Sequence, residues 1–136
     1  MPKNNRNTYI GAIAVLILIG LFAWFSTQKN QVVEEAGEYD VFAQCLYDSG
    51  MRMYGSQTCS FCERQRQLFG VSFHFIQEIE CDPRNPDSEY ERCIEKGISH
   101  TPTWIFEDEK GEDVHRFDSG VQSLEDLSEV SGCPLL

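Results

Sequence analysis

The strongest hydrophobic pattern in the chain is an uncharged run near the N-terminus. Residues 7–28 carry no charge, and as a helix these 22 residues would be about 33 Å long, enough to cross a bilayer. No small-x-small cleavage site follows the run, although a removed signal peptide is the alternative. The expected segments are a cytoplasmic tail, a transmembrane anchor in membrane lipid and a linker, over residues 1–8, 9–27 and 28–38.

Beyond the linker, short apolar patterns alternate between helix and strand periodicity. A helix is expected over residues 40–50, because apolar residues recur there on one face. Seven further elements follow, in the order strand 51–54, helix 62–69, strand 75–81, helix 90–96, strand 101–106, strand 114–117 and a last helix from 123. This order predicts one α/β domain over residues 39–136, with a mixed central sheet of about four strands and helices on both faces.

Charge and cysteine usage place that domain outside the cytoplasm. Lys3 and Arg6 precede the apolar run, and basic residues of this kind favour a cytoplasmic N-terminus. All six cysteines follow the run, so they would face the oxidising periplasm or cell exterior, where disulfides form. The chain after residue 30 has 8 basic and 22 acidic side chains, a formal net charge of −14. A surface this acidic repels phosphate backbones, so nucleic acid is not expected as a partner.

Two of the cysteines, Cys59 and Cys62, stand two residues apart at the start of a predicted helix. Thiol-disulfide exchange needs a thiolate that attacks and a second thiol near enough to resolve the mixed disulfide. The helix N-terminus would lower the pKa of Cys59, which makes Cys59 the nucleophile and Cys62 the resolving thiol. An inert disulfide is one alternative. A zinc site completed by Cys81 and Cys93 is another, although their spacing lacks a second C-x₂-C.

A Thr-Pro pair about forty residues after the cysteine motif narrows the chemistry. Cys59-x-x-Cys62, followed by Thr101-Pro102 at the start of a strand, resembles the layout of the thioredoxin fold. The resemblance implies that Pro102 is cis, and that Thr101 and Pro102 lie against the active-site sulfurs and align the substrate. It also implies a buried acid near the end of the first strand, where this chain has Met53. Loss of that acid favours an oxidant or isomerase over a reductase.

A narrower resemblance covers nearly the whole predicted domain. Residues 53–70, MYGSQTCSFCERQRQLFG, are similar to the thioredoxin-like domain of bacterial vitamin K epoxide reductase homologues, and the similarity extends over residues 42–134. It implies a second cysteine pair, Cys81 and Cys93, in a structural disulfide, with a relay pair as the alternative. The quinone-reducing membrane domain of those homologues is missing from this sequence, so the electron acceptor is expected to be a separate membrane protein.

Cys45 and Cys133 are the two cysteines that these motifs leave over. The even number of cysteines favours a third pair. The first and last helices of this fold usually cover opposite faces of the sheet, which would keep the two sulfurs apart. Free or intermolecular thiols are therefore the alternative for Cys45 and Cys133.

These patterns together predict a single-pass membrane protein with an extracytoplasmic thiol-disulfide oxidoreductase domain. Cys59 and Cys62 would oxidise cysteine pairs in secreted proteins and be reoxidised by a quinone-linked membrane protein of the vitamin K epoxide reductase type. No cofactor and no metal are expected. The enzymatic alternative is a disulfide reductase or isomerase, and the alternative of another class is a non-enzymatic, disulfide-stapled binding module.

Overall fold

The computed structural model describes residues 6–27 and 36–135. The chain divides into two units, residues 1–35 and 36–136, and each is treated by itself. Most of the predicted cytoplasmic tail and most of the predicted linker lie outside the described residues.

The first unit contains one described helix, α1, at Arg6–Thr27. It lies where the sequence predicts an anchor, over residues 9–27. Within the described part of the chain, no helix is found that is both long enough and apolar enough to cross a membrane. The membrane anchor therefore stays a prediction.

The second unit has the order of helices and strands that the sequence predicts. Its described elements are α2 (Asp40–Ser49), β1 (Met51–Gly55), α3 (Ser60–Phe69), a 3₁₀ helix (Gly70–Phe75), β2 (Glu78–Glu80), α4 (Tyr90–Glu95), β3 (Thr103–Glu107), β4 (Asp113–Arg116) and α5 (Leu124–Ser131). Local signals fix several of the boundaries. Gly50 ends α2 with a φ of 100°, a left-handed conformation that favours glycine, and the Ser123 hydroxyl accepts the Asp126 N–H at 3.1 Å where α5 begins.

One predicted strand is shorter than expected. The strand predicted over residues 75–81 is reduced to three residues, because the segment before it forms the 3₁₀ helix. The Ile76 N–H donates to the Phe73 carbonyl at 2.9 Å. The buried Ser72 hydroxyl accepts the Tyr39 N–H at 3.0 Å, which ties the 3₁₀ helix to the start of α2. These contacts outweigh the β propensity of the aromatic residues in this segment.

The four strands form one mixed sheet in the order β2-β1-β3-β4. Strand β1 is parallel to β2 and antiparallel to β3, and β3 is antiparallel to β4. The parallel pair needs a crossover connection, which α3 and the 3₁₀ helix supply. This architecture fits a thioredoxin-like fold.

The sheet separates two apolar clusters. Met53 and Trp104 face a cluster that includes residues of α2, α3 and α5, whereas Tyr54 and Ile105 face a smaller cluster that includes Cys93 of α4. Successive residues of a strand point to opposite faces, which explains why neighbours on β1 and β3 belong to different clusters. Helices therefore lie on both faces of the sheet. Contrary to the expectation from the fold, α2 and α5 lie on the same face.

Candidate active site

Cys59 stands immediately before α3 and caps it. Its backbone is extended, with φ −87° and ψ 120°, and its Sγ accepts the Cys62 N–H at 3.3 Å. This N–H is one of those that the start of a helix leaves without a backbone acceptor, so the cap places a partial positive charge at the sulfur. Cys59 is partly exposed and Cys62 is buried, and both are free thiols.

The Thr101-Pro102 segment lies against the cysteine pair. The peptide bond between the two residues is cis, as the resemblance implies. The Cys59 thiol donates to the Thr101 carbonyl at 3.4 Å. The structure thus brings together four of the residues that the sequence singles out, although they lie about forty positions apart in the chain.

The two thiols differ in how readily they ionise. Partial burial acts to raise the pKa of Cys59, but hydrogen bonds from the Cys62 thiol, from Thr101 and from backbone N–H groups outweigh it, and this pKa lies below its ordinary value. Burial, followed by the hydrogen bond to Cys59, raises the pKa of Cys62 to about 12. Cys59 is therefore the thiol that forms a thiolate, and Cys62 holds its proton.

Gln65, a buried residue of α3, ties the active-site helix to the Thr101-Pro102 segment. Its side-chain N–H donates to the Gln122 carbonyl at 3.0 Å, and its side-chain oxygen accepts the Gln122 N–H at 2.7 Å. Two residues earlier, the Gly120 N–H donates to the Pro102 carbonyl at 2.8 Å. This role of Gln65 was not predicted from the sequence. A polar amide on the apolar side of α3 was the signal available in the sequence.

An ion pair between Arg66 of α3 and Glu78 of β2 lies beside the cysteine pair. The guanidinium donates to both carboxylate oxygens, at 3.0 and 2.6 Å, and to the Ser56 carbonyl at 3.0 Å. Its pKa is raised, first by the hydrogen bond to Glu78, with burial opposing, and in smaller part by the charge of Cys62. Glu78 is the register partner of Met53 on β1. An acid thus stands on the neighbouring strand, opposite the position where the resemblance implied one. Glu78 was not predicted as a site residue from the sequence.

The segment before Cys59 is held by two acids at the end of β2. The Glu80 carboxylate accepts the backbone N–H groups of Gln57 and Asp82, both at 2.8 Å. The Thr58 hydroxyl donates to the Asp82 carboxylate at 3.2 Å. These contacts fix the loop that leads into the nucleophile, and neither acid was a candidate at the level of sequence.

The other four cysteines form two disulfides. Cys81 at the end of β2 is bonded to Cys93 of α4 with an S–S distance of 1.99 Å. Cys45 of α2 is bonded to Cys133, just beyond α5, with an S–S distance of 2.05 Å. The first and last helices of the domain were expected on opposite faces of the sheet, which would have kept Cys45 and Cys133 apart. That expectation is wrong, because α2 and α5 share a face. Cys81 and Cys93 are bonded to each other, so their sulfurs are not available as the further ligands that a zinc site at Cys59 would need.

Comparison with known proteins gives a similarity over most of the chain. No model of a known protein family matches the chain. The chain is 24% identical over 143 residues to the thiol-disulfide oxidoreductase LTO1 of Arabidopsis thaliana, and the alignment covers 90% of this chain and 36% of that protein. The chain thus spans little more than a third of the length of this relative. The similarity supports a protein thiol-disulfide oxidoreductase, the class of protein to which the geometry of the cysteine pair also points.

Proposed function

We propose that this protein is a thiol-disulfide oxidoreductase that oxidises pairs of cysteines in other proteins through Cys59 and Cys62. The observation that carries the proposal is the asymmetry of the two free thiols. Cys59 is partly exposed at a helix start with its sulfur facing the Thr101 carbonyl, while Cys62 is buried. An attacking thiolate and a protected resolving thiol are what exchange through a mixed disulfide requires.

In the proposed reaction, a substrate thiolate attacks Sγ of Cys59 in the oxidised pair. The Cys59–Cys62 bond breaks, and Cys62 leaves as a thiolate that takes up a proton. The second substrate thiolate then attacks the substrate sulfur of the mixed disulfide, and Cys59 leaves as a thiolate. The substrate dithiol loses two electrons and two protons. The cysteine pair gains the two electrons and the proton on Cys62, and the other proton passes to solvent.

The proposal of an oxidising direction is supported by the form of the pair that the protein stabilises. Hydrogen bonds lower the pKa of Cys59, which stabilises the reduced, thiolate form relative to the disulfide. A protein that stabilises its reduced form takes electrons readily, as in strongly oxidising members of this class of enzyme. A reductase or isomerase uses the same residues and is the enzymatic alternative.

The rest of the proposal concerns location and partners, and it is supported by the sequence. We infer that residues 9–27 anchor the protein in a membrane, with the domain in the periplasm or at the cell exterior. Substrates are then secreted protein thiols, and a quinone-linked membrane protein of the vitamin K epoxide reductase type reoxidises the pair. Alkaline extraction of membranes tests the anchor, since an integral protein stays with the lipid and a peripheral one is released.

Trapping of mixed disulfides tests the function. Cys62→Ala removes the resolving thiol, so substrates and the redox partner should accumulate as disulfides with Cys59. The matched control is the Cys59→Ala/Cys62→Ala double variant, which should trap nothing. If both variants trap equally, exchange does not occur at Cys59.

Equilibrium titration of the full-length protein separates the alternatives. An exchange-active pair with a potential of about −120 to −200 mV supports an oxidant or isomerase, and a value near about −270 mV supports a reductase. A pair that stays oxidised under a strong dithiol reductant would support a stapled binding module instead.

A further inference from the structure

The side-chain amide of Gln65 pairs with both backbone groups of a single residue, Gln122. Its Nε2 donates to the Gln122 carbonyl at 3.0 Å, and its Oε1 accepts the Gln122 N–H at 2.7 Å. Only the amides of Asn and Gln carry an uncharged donor and acceptor in this arrangement. Gln65 is fully buried, on the same face of α3 as Cys62 and Phe69. The loop between β4 and α5 is thus bound to the active-site helix in one defined position.

The loop between β4 and α5 in turn holds the cis peptide segment. The Gly120 N–H donates to the Pro102 carbonyl at 2.8 Å. The hydroxyls of Ser119 and Thr103 form a hydrogen bond of 2.8 Å. Both contacts bind the two residues that directly follow Thr101, so the position of the loop determines the position of Thr101.

Thr101 and α3 also meet directly, at Cys59. The Cys59 thiol donates to the Thr101 carbonyl at 3.4 Å. Burial acts to raise the pKa of Cys59, but a side-chain hydrogen bond with Thr101, next to that with Cys62, lowers it. The contacts therefore form a closed ring, from Cys59 through Thr101 and the loop to Gln65 and back along α3. Without the amide of Gln65, the ring is open and Thr101 is held less firmly against the sulfur.

Burial energy alone does not favour an amide at this position of α3. The neighbouring buried residues on the same face, Cys62 and Phe69, belong to the apolar cluster. A buried amide costs free energy unless its donor and its acceptor are both satisfied, whereas an apolar side chain would be buried there without that requirement. A fully satisfied polar contact in an apolar environment fixes one arrangement of the elements that it joins.

We propose that Gln65 is a positioning residue for thiol-disulfide exchange, which holds Thr101 against Cys59 through Gln122 and thereby favours the reduced form of the cysteine pair. This proposal rests on the proposed function and adds a determinant of the redox equilibrium to it. Thr101 stabilises the thiolate of Cys59 in the reduced protein. In the disulfide form the same sulfur has no charge to stabilise, so a firmly held Thr101 favours reduction.

Equilibration of the full-length protein with glutathione tests the proposal. Two glutathione thiols reduce the Cys59–Cys62 disulfide and become one glutathione disulfide, so electrons and protons balance. Gln65→Met keeps the length of the side chain and removes the amide. We expect the equilibrium constant for reduction of the pair to fall about three- to tenfold, the effect of about one hydrogen bond.

The pH profile of alkylation provides a second measurement on the same variant. The midpoint for reaction of Cys59 with iodoacetamide should rise in Gln65→Met, because Thr101 stabilises the thiolate less well. It should stay below the ordinary thiol pKa, since the N–H of Cys62 that caps the sulfur belongs to α3 itself. A residue that served only the stability of the fold would move neither the midpoint nor the equilibrium constant.

Two substitutions on the same helix are matched controls. Gln67→Met removes an exposed amide whose partner is the Glu63 carboxylate, at 3.2 Å, and should change neither measurement. Phe69→Leu reduces a buried side chain that has no hydrogen-bonding group. It should lower the free energy of unfolding in urea and leave both redox measurements as in the parent.

A double-mutant cycle shows whether Gln65 acts through Thr101. Thr101→Val removes the hydroxyl that bonds to Cys59. In that background, Gln65→Met should change the equilibrium constant by less than about twofold, because the contact on which it acts is already lost. Fully additive effects of the two substitutions would overturn the proposed route from Gln65 to Cys59.

The remaining outcomes separate the positioning role from the function itself. A folded Gln65→Met variant with the equilibrium constant and the Cys59 midpoint of the parent would overturn the positioning role and leave the oxidoreductase in place. A parent protein that does not exchange with glutathione would overturn the proposed function. Circular dichroism reports folding, and Gln65→Leu replaces Gln65→Met if the latter does not fold. Failure of both variants to fold would assign Gln65 to the fold and overturn the proposal.

Discussion

The pairs Cys59–Cys62 and Cys81–Cys93 lie close to the ends of neighbouring strands, β1 and β2, yet their sulfurs differ in their backbone neighbours. Cys59 Sγ accepts an N–H at the start of α3, at 3.3 Å, and also faces the Thr101 carbonyl oxygen, at 3.4 Å. The polar neighbours of Cys81 Sγ and Cys93 Sγ are carbonyl oxygens of β2, at 3.6 and 4.0 Å. The first pair is free and the second is closed.

Exposure does not explain this difference, since each pair has one partly exposed and one buried cysteine. The backbone N–H donors at Cys59 do. An N–H donor stabilises a thiolate and a carbonyl oxygen destabilises it, and every step of disulfide exchange has a thiolate as its leaving group. The N–H donors at the start of α3 outweigh the Thr101 carbonyl and favour exchange at Cys59, whereas the carbonyl neighbours of Cys81 and Cys93 favour a disulfide that stays closed.

The largest expected effect separates the two pairs by removing sulfurs from one pair at a time. Cys59→Ser should lower the oxidation of a reduced, unfolded protein to the protein-free background, a loss of at least about 10⁴-fold, because the variant cannot form the Cys59–Cys62 disulfide that accepts the electrons. The Cys81→Ser/Cys93→Ser double variant should retain activity within about tenfold of the parent, since it leaves the Cys59 cap intact. Stopped reactions analysed for free thiols give both rates.

Comparable losses in the two variants would make Cys81–Cys93 a relay that passes electrons on rather than a structural bond. Circular dichroism of the double variant shows whether it is folded, because unfolding alone would also abolish the activity. A folded but inactive double variant would contradict the assignment of Cys81–Cys93 as a structural disulfide.

Local patterns predict most of this fold, and contacts between distant segments account for what they miss. Apolar periodicity and end signals such as Gly50 lie within single elements, so the order of helices and strands is confirmed. The 3₁₀ helix was not predicted, and it takes Phe75 from the predicted strand, because its contact with the start of α2 is long-range and overrides β propensity.

The residues of the site differ in the same way, since some are recognisable from local spacing and others join the site through strand pairing. The motif of Cys59 and Cys62 is visible in the sequence because its chemistry depends on spacing. Glu78 is not, since it belongs to the site only through the parallel register that places it opposite Met53. Pairing of strands is set by turns and packing across the whole sheet, which no single segment of sequence contains.

The free energy of unfolding tests how much each of the two disulfides stabilises the fold. In the chain-entropy model, closing the Cys45–Cys133 loop, with a sequence separation of 88, stabilises the fold by about 5 kcal/mol, and closing Cys81–Cys93, with a separation of 12, by about 3 kcal/mol. Replacing each pair by Ser should therefore lower the free energy of unfolding by different amounts, which urea denaturation measures. The opposite order would show that native-state packing, and not loop length, governs these two bonds.

The pH dependence of alkylation separates the two thiols of the active pair. With both disulfides left closed, Cys59 should react with iodoacetamide with a midpoint below the ordinary thiol pKa, and Cys62 in a Cys59→Ala variant should react only at strongly alkaline pH. At pH 7 the rates should differ by about a hundredfold. Mass spectrometry of the labelled protein gives both profiles. Equal midpoints would remove the asymmetry on which the proposed roles depend.

The same pKa shifts determine how the free energy of unfolding of the reduced protein changes with pH. The pKa of Cys59 is lowered in the folded state. Its contribution to the free energy of unfolding is therefore present above the ordinary thiol pKa and is lost as the pH falls through the lowered value. Because burial raises the pKa of Cys62 to about 12, the unfolded state loses this proton first, and stability falls as the pH rises above the ordinary thiol pKa. The oxidised protein, which has neither thiol, should show neither effect.

The smallest predicted effect concerns the ion pair beside Cys62. Glu78 holds the Arg66 guanidinium through two hydrogen bonds, and that cation favours the thiolate that leaves when a substrate attacks Cys59. Glu78→Gln keeps the shape but removes the charge, so Arg66 is held less firmly. We expect oxidation of a small dithiol to slow by about three- to tenfold, the value of one ordinary hydrogen bond of about 1 kcal/mol, with alkylation of Cys59 unchanged.

Glu63 provides the matched control, because it is an acidic partner of Arg66 at 3.3 Å with its side chain 57% exposed. An exposed pair of this kind contributes little, so Glu63→Gln should change the rate by less than about twofold. Equal effects of the two substitutions would mean that the net charge near the site matters and the placement of Arg66 does not. A slower rate in Glu78→Gln alone, with an unchanged Cys59 profile, assigns the partner strand a part in releasing Cys62.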